Sequence, residues 1–424
     1  MTEKFFHYLW QFQFYNKSDL RTTKGEEITI IFPGTLNTNQ GPDFKEARIK
    51  IGNTLLAGAV ELHLNASDWQ KHGHENDPNY KPVILHVVFQ NDVPESHLPV
   101  LELQPRIPQM LLEKYASLME GASFIPCAAS IASVSDIVWL SWKERLVAER
   151  LTRKADLVFN ILKETNGHWE ETFWRLLARN FGTTVNGEAF EKIAGHIPIN
   201  MLARHKSSIH QIEALLLGQA GLLEGEFKDE YPKLLQREFK FLQKKYGLKP
   251  LHFPIHFLRM RPYNFPTIRL AQLAMLVHHS SHLFSKVVEA ETLEEVKSWL
   301  SVTANDYWHY HFRLDELSTF KKKNIGDDMI TNIIINTIIP VLFAYGLHKG
   351  EEGPKLKALN WLEKLGGENN KIVNGFSLLS IGNKNAFDTQ ALIELKNEYC
   401  NHKKCLDCGV GVSLLKKTHT TSSS

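Results

Sequence analysis

Residues 55–89 read LLAGAVELHLNASDWQKHGHENDPNYKPVILHVVF, and this stretch decides the fold of the N-terminal part of the chain. Leu55–Leu64 reads as a strand. Ser67–Asn76 begins like a capped helix and is polar, and Val83–Phe89 is the near-continuous apolar run of a strand buried on both faces. Towards the N-terminus, Asn53 marks a turn and ARIKI (47–51) alternates apolar and basic residues. GTLNTNQGPD (34–43) is a polar turn, and EEITIIF (26–32) is a strand by its β-branched content. Glu3–Phe14 places Phe6, Leu9 and Trp10 at helical spacing after Thr2, a capping residue. The order α-β-β-β-α-β predicts a small mixed sheet with helices.

Beyond Pro108 the apolar spacing turns helical, over 136–162, 168–181, 209–223, 229–246, 267–277 and 293–300. Met329–Tyr345 is greasy but broken by Thr331, Asn332, Asn336, Thr337 and Pro340, which suits a buried helix better than a membrane span. The expected fold class is therefore α+β. A small mixed-sheet domain spans 1–107, a large mostly α-helical region spans 108–417, and a disordered polar tail spans 418–424.

The 424 residues carry 49 Lys+Arg against 47 Asp+Glu, a net charge of +2, with 43% hydrophobic residues. That balance excludes a disordered, collagen-like or polybasic chain. Four cysteines in this length make no disulfide framework, and the first twenty residues lack a signal peptide's apolar core. The expectation is a soluble cytoplasmic protein that does not meet a membrane.

Titratable residues crowd between Gln40 and His86. Asp43 enters the second strand, while Glu61 and His63 lie two apart on the third and share a face. Two carboxylates suit Mg²⁺ or Mn²⁺, and His63 could position a water or serve as a nitrogen ligand. Asp68, His72 and His74 are possible further members, and a zinc hydrolase built on His63, His72 and His74 is an alternative. His86, inside VILHVVF, reads as a core histidine.

This constellation resembles the PD-(D/E)xK nuclease core. The resemblance implies a restriction-endonuclease-like fold in which Asp43 and Glu61, eighteen residues apart, hold the catalytic metal. It also implies cleavage of phosphodiester bonds in DNA or RNA. His63 stands where that family has lysine, so the alternative is a non-catalytic nucleic-acid or protein-binding factor with a degenerate core.

Near the C-terminus, Cys400, Cys405 and Cys408 form C-x4-C-x2-C, with Cys127 as a distant fourth ligand or His402 as a local one. Tetrahedral sulfur suits Zn²⁺ or an iron–sulfur cluster, whose role would be to pin the C-terminus. Arg259, Arg261 and Arg269, interleaved with Tyr263 and Phe265, suit nucleic-acid binding through phosphate forks and stacking. Walker A, GxGxxG and GxSxG motifs are all missing, so ATPase, Rossmann and α/β-hydrolase readings lose their anchors. Along its length the sequence also resembles an uncharacterised bacterial family, a domain of unknown function. NQGPDF (39–44), VELHLNASDWQKHGH (60–74), LLLGQAGLL (215–223), RMRPYNFPTIRLAQL (259–273) and KKCLDCGVG (403–411) carry that resemblance. It implies one shared architecture and leaves the activity unspecified.

Overall fold

The computed structural model describes residues 1–121, 123–249, 251, 253–258, 260–280 and 282–416. Arg259 and the tail expected at 418–424 lie outside the described residues. The chain divides into two compact units. Unit 1 comprises Met1–Trp142, Gly375–Ile381 and the chain from Glu394 on; unit 2 comprises Lys143–Asn374 and Gly382–Ile393. The division falls at Trp142–Lys143, beyond the expected 107, and the cysteine-rich C-terminal segment goes with the N-terminal sheet. Long-range contacts within unit 1 explain this. The Phe124 ring meets Phe376 edge-on at 5.2 Å, Lys396 Nζ donates to Phe124 O at 2.6 Å, and Trp142 meets Tyr399 at 5.3 Å.

Unit 1 is a mixed α+β unit. Helix α1 (Glu3–Gln11) starts at Thr2, whose Oγ1 accepts from Phe5 N at 3.2 Å, and it buries Phe5, Phe6, Leu9 and Trp10 completely. Trp10 Nε1 donates to Pro33 O at 3.0 Å, so the indole is buried with its polar atom satisfied. The strands are β1 (Ile28–Phe32), β2 (Thr35–Leu36), β3 (Phe44–Ile51), β4 (Thr54–Asn65), β5 (Val83–Gln90) and β6 (Val100–Glu102). Their order is β1-β3-β4-β5-β6, with β2 paired to β3. The pairs β1/β3 and β3/β4 are antiparallel, whereas β4/β5 and β5/β6 are parallel. The order α-β-β-β-α-β is present, with β2 and β6 as additions too short for periodicity to reveal.

Between β4 and β5 the expected helix over 67–76 is cut to α2 (Asp68–Lys71) and a 3-10 turn, His74–Asn76. Gly73, at φ 71°, ends the helix in the left-handed region that glycine tolerates. Ser67 does not cap it. Its N and Oγ bond to Asp92 at 2.8 and 2.7 Å.

Helices α3 (Gln109–Glu120) and α4 (Asp136–Glu164) follow, and unit 2 is helical thereafter. It contains α5 (Trp169–Phe181), α6 (Thr183–His196), α7 (Ile199–Ala203), α8 (Ile209–Gln219), α9 (Glu230–Tyr246) and α10 (Pro266–His279). A two-stranded ribbon pairs His311–Arg313 with Glu316–Leu317. Asp327–Lys349 is long and apolar enough to cross a membrane, yet Ile333, Ile334, Ile338, Ile339 and Leu342 are fully buried in the unit, as in a core helix. Its middle turn, Ile334–Ile338, is π-helical and ends two residues before Pro340, which takes a helical position without an N–H.

Candidate metal centre

Strand β4 sits inside the sheet, and its register sets Glu61 beside His86 and His63 beside Val88 on β5. Glu61 is 5% exposed and His63 2%. Two carboxylates tie the strand to the preceding loop reciprocally: Asp43 N donates to Glu61 Oε2 at 3.0 Å, and Leu62 N donates to Asp43 Oδ2 at 2.9 Å. Burial, and then the nearby Asp43 charge, push the Glu61 carboxyl up to about 8.

The other Glu61 oxygen faces imidazoles. Oε1 stands 3.6 Å from His63 Nε2 and 3.4 Å from His74 Nε2. His63 Nε2 is also 3.1 Å from His72 Nδ1. His63, His72 and His74 each offer a donor atom within 4.8 Å of the others, a set that does not include Glu61. An ion with bonds of ~2.0–2.1 Å in tetrahedral geometry needs donor separations of roughly 3.4 Å. His63 Nε2 and His72 Nδ1 are close to that separation, and with His74 they make a group of three ring nitrogens that could hold one ion. His74 Nε2 is buried and has no hydrogen-bond partner among the described residues, the orphaned atom that a ligand would satisfy.

Neighbouring groups orient the rings. His63 Nδ1 and His86 Nε2 are hydrogen-bonded at 2.9 Å, which leaves His63 Nε2 turned towards the cluster. Tyr80 stacks on His74 at 3.8 Å, and Trp69 meets His74 at 5.3 Å. Burial, aided by neighbouring imidazoles, pulls His63 down to about 3 and His86 to about 4, and lowers His74 as well. Neutral imidazole is the form that binds a metal. His72 is exposed, so one side of the cluster meets solvent.

The structure thus gathers Asp43, Glu61, His63, His72 and His74. Asp68 stays apart: its carboxylate accepts from Asn65 N at 3.1 Å and Lys71 Nζ at 2.8 Å, bracing the turn. Three participants carried no sequence signal, namely His7, whose Nε2 lies 3.2 Å from Asp43 Oδ2, Trp69 and Tyr80, while His86, expected as a core histidine, is buried and bonded to His63. Only the Gly73 punctuation hinted that His72 and His74 could converge, because residues two apart on a continuous helix diverge.

Elsewhere in unit 1, Cys127, Cys405 and Cys408 are buried and Cys400 is half-buried, all as free thiols. Burial, and then Cys408 and Cys405, push the Cys127 thiol up to about 12. Cys400 is raised by burial and then by the neighbouring thiols Cys408, Cys127 and Cys405. His402 is exposed on the loop. In unit 2, Arg261 and Arg269 line a cavity.

No curated protein and no solved structure matches the chain. A family model described as "Protein of unknown function (DUF2851)" matches residues 3–371, which takes in the whole histidine cluster and Cys127 and stops short of the other three cysteines. With most of its length inside that match, the chain belongs to the DUF2851 family.

Proposed function

We propose that unit 1 is a metal-dependent hydrolase whose ion is held by His63, His72 and His74, with Glu61 activating the attacking water and a phosphodiester of DNA or RNA as substrate. One observation carries it: three ring nitrogens and a carboxylate oxygen converge, and His74 Nε2 has no other partner among the described residues. A nitrogen-rich set favours Zn²⁺ over Mg²⁺, which prefers oxygen ligands. When bound, such an ion supplies Lewis acidity and a water of lowered pKa. His63 is held through Nδ1 by His86, so its Nε2 faces His72 Nδ1 within the cluster. Glu61 is pinned through Oε2 to Asp43 N, which leaves Oε1 to take the proton of a water at the exposed side. The element order and the Asp43–Glu61 spacing, which resemble the nuclease core, support the phosphodiester.

A second reading assigns Mg²⁺ or Mn²⁺ to Asp43 and Glu61, with His63 orienting the water. Their mutual backbone ties favour it, because they bring the two carboxylates together. The test is to strip the full-length chain with chelator and reload it with Zn²⁺, Mn²⁺ or Mg²⁺. Hydrolysis of bis(p-nitrophenyl) phosphate and of single- and double-stranded DNA and RNA is then followed. Zn²⁺-dependent turnover that falls about 10²–10⁴-fold in Glu61→Gln, with the metal retained, is the expected result. Turnover with Mg²⁺ that survives His72→Ala supports the second reading. Metal binding without cleavage of any substrate makes the protein a binding factor and refutes both.

A further inference from the structure

Unit 2 holds a cavity of about 1100 Å³ walled by α4, α5, α6, the Arg261–Arg269 segment and the helix Asp327–Lys349. That is the size of a small-molecule site. Lys154, Arg179, Arg261 and Arg269 line it, against the acids Glu188 and Asp328. Glu188 is engaged by Lys192 at 2.8 Å and Arg179 by Glu191, so Arg261 and Arg269 stand against Asp328 and the balance of the walls is positive.

Arg269 is the unusual member. It is 8% exposed, and its hydrogen-bond partners among the described residues are neutral: Nη1 donates to Gln272 Oε1 at 2.9 Å and Nη2 to Asn264 Oδ1 at 2.6 Å. Its Nε–H is buried with no partner among the described residues. Burial pulls its pKa down to about 10, with no carboxylate acting against it. A buried guanidinium without a counter-charge is costly, and an anion is what would offset it.

Three further observations fall on the same walls. Asn180 Oδ1 is a buried acceptor with no partner among the described residues. Thr183, a β-branched residue, holds φ 55°, a strained conformation of the kind that gathers at functional sites. The π-helical turn Ile334–Ile338 presents Asn336 and Thr337 to the cavity, and π-turns recur at such sites.

We infer that this cavity binds an organic phosphate of mononucleotide size, with Arg269 and Arg261 taking the phosphate and Asn180 receiving a hydroxyl or amino donor from the body of the ligand. The guanidinium forks match phosphate oxygens, and the polar wall suits a hydroxylated or heterocyclic body.

The test uses the full-length chain, with AMP, inorganic phosphate and citrate as probes, read by thermal shift and titration calorimetry. AMP is expected to bind saturably and more tightly than phosphate. Arg261→Ala and Arg269→Gln should each weaken it at least about tenfold, the loss of one charge-assisted contact. If Arg269→Gln does not fold, Arg261→Ala carries the test alone. His74→Ala, which disables the centre in unit 1, should leave AMP affinity unchanged. No saturable response to AMP or phosphate at about 5 mM overturns the inference. So does citrate binding without AMP binding, or AMP binding that is lost in His74→Ala and kept in Arg261→Ala.

Discussion

Nε2 of His74 stands 3.4 Å from Oε1 of Glu61 and forms no hydrogen bond with it. Two polar atoms this close and this buried, yet not bonded, leave a gap shaped for a third partner. His74→Ala should therefore strip the bound ion from unit 1, and His86→Asn, which frees the His63 ring, should weaken binding about 10–100-fold. Metal content by mass spectrometry and competition against a chelating dye read both. Unchanged zinc affinity in both variants would show that the ring cluster is not the centre.

The register of β4 on β5 depends on a residue without a side chain. A Cβ at Gly58 would lie 2.5 Å from both Pro82 O and Ile84 Cγ2, closer than any real contact. Gly58→Ala should destabilise unit 1 by about 1–3 kcal/mol, as overpacking does, and lower metal affinity, because this pairing sets Glu61 beside His86. Chemical denaturation and zinc titration measure the two effects. A variant as stable as the parent would remove the steric argument.

A carboxyl in the core of unit 2 gives a pH dependence. Glu213 is fully buried, accepts from Tyr231 Oη at 2.5 Å, and lies 3.2 Å from Trp308 Nε1. Burial pushes it from 4.5 up to about 7, against those two hydrogen bonds. The folded chain thus keeps this proton to higher pH than the unfolded chain does. Stability falls as pH climbs from about 4.5 through 7 and is level above. Glu213→Gln is neutral throughout, so its stability relative to the parent should rise by about 3 kcal/mol between pH 4.5 and pH 8. Urea denaturation at both ends reads the difference, and a pH-independent gap would contradict it.

The thiol quartet makes its own prediction. Protein purified without oxygen should carry a sulfur-bound metal that Cys127→Ser and Cys408→Ser each release, with a fall in the melting temperature. Brown colour with iron and sulfide identifies a cluster, and zinc without colour identifies a single ion. Equal metal content in parent and variants would mean that the four thiols bind none.

Much of unit 1 was legible because its signals are local. EEITIIF became Ile28–Phe32, the 55–64 run became Thr54–Asn65, and VILHVVF became Val83–Gln90, each with period or burial written in its own residues. The Asp43–Glu61–His63 grouping was legible for the same reason, since strand alternation puts Glu61 and His63 on one face. The weight within the site was not. His72 and His74 join it through the Gly73 turn, and His7 reaches it from α1, both of which require tertiary placement. Arg269 shows the converse: beside Pro, Tyr and Phe it reads as a groove residue, and only the packing of α10 reveals it as a buried charge.

Unit 1 begins with Met1–Trp142 and resumes at Gly375 and again at Glu394. On the ribosome the sheet and its histidine cluster therefore emerge well before Asp407, which pairs with Lys4 at 2.6 Å, and before three of the four thiols. At ~5–20 residues per second the interval is on the order of tens of seconds. Throughout it the nascent sheet must persist without its C-terminal clasp, so chaperone dependence during synthesis should centre on the N-terminal unit, and a stalled chain should be a protease target there first.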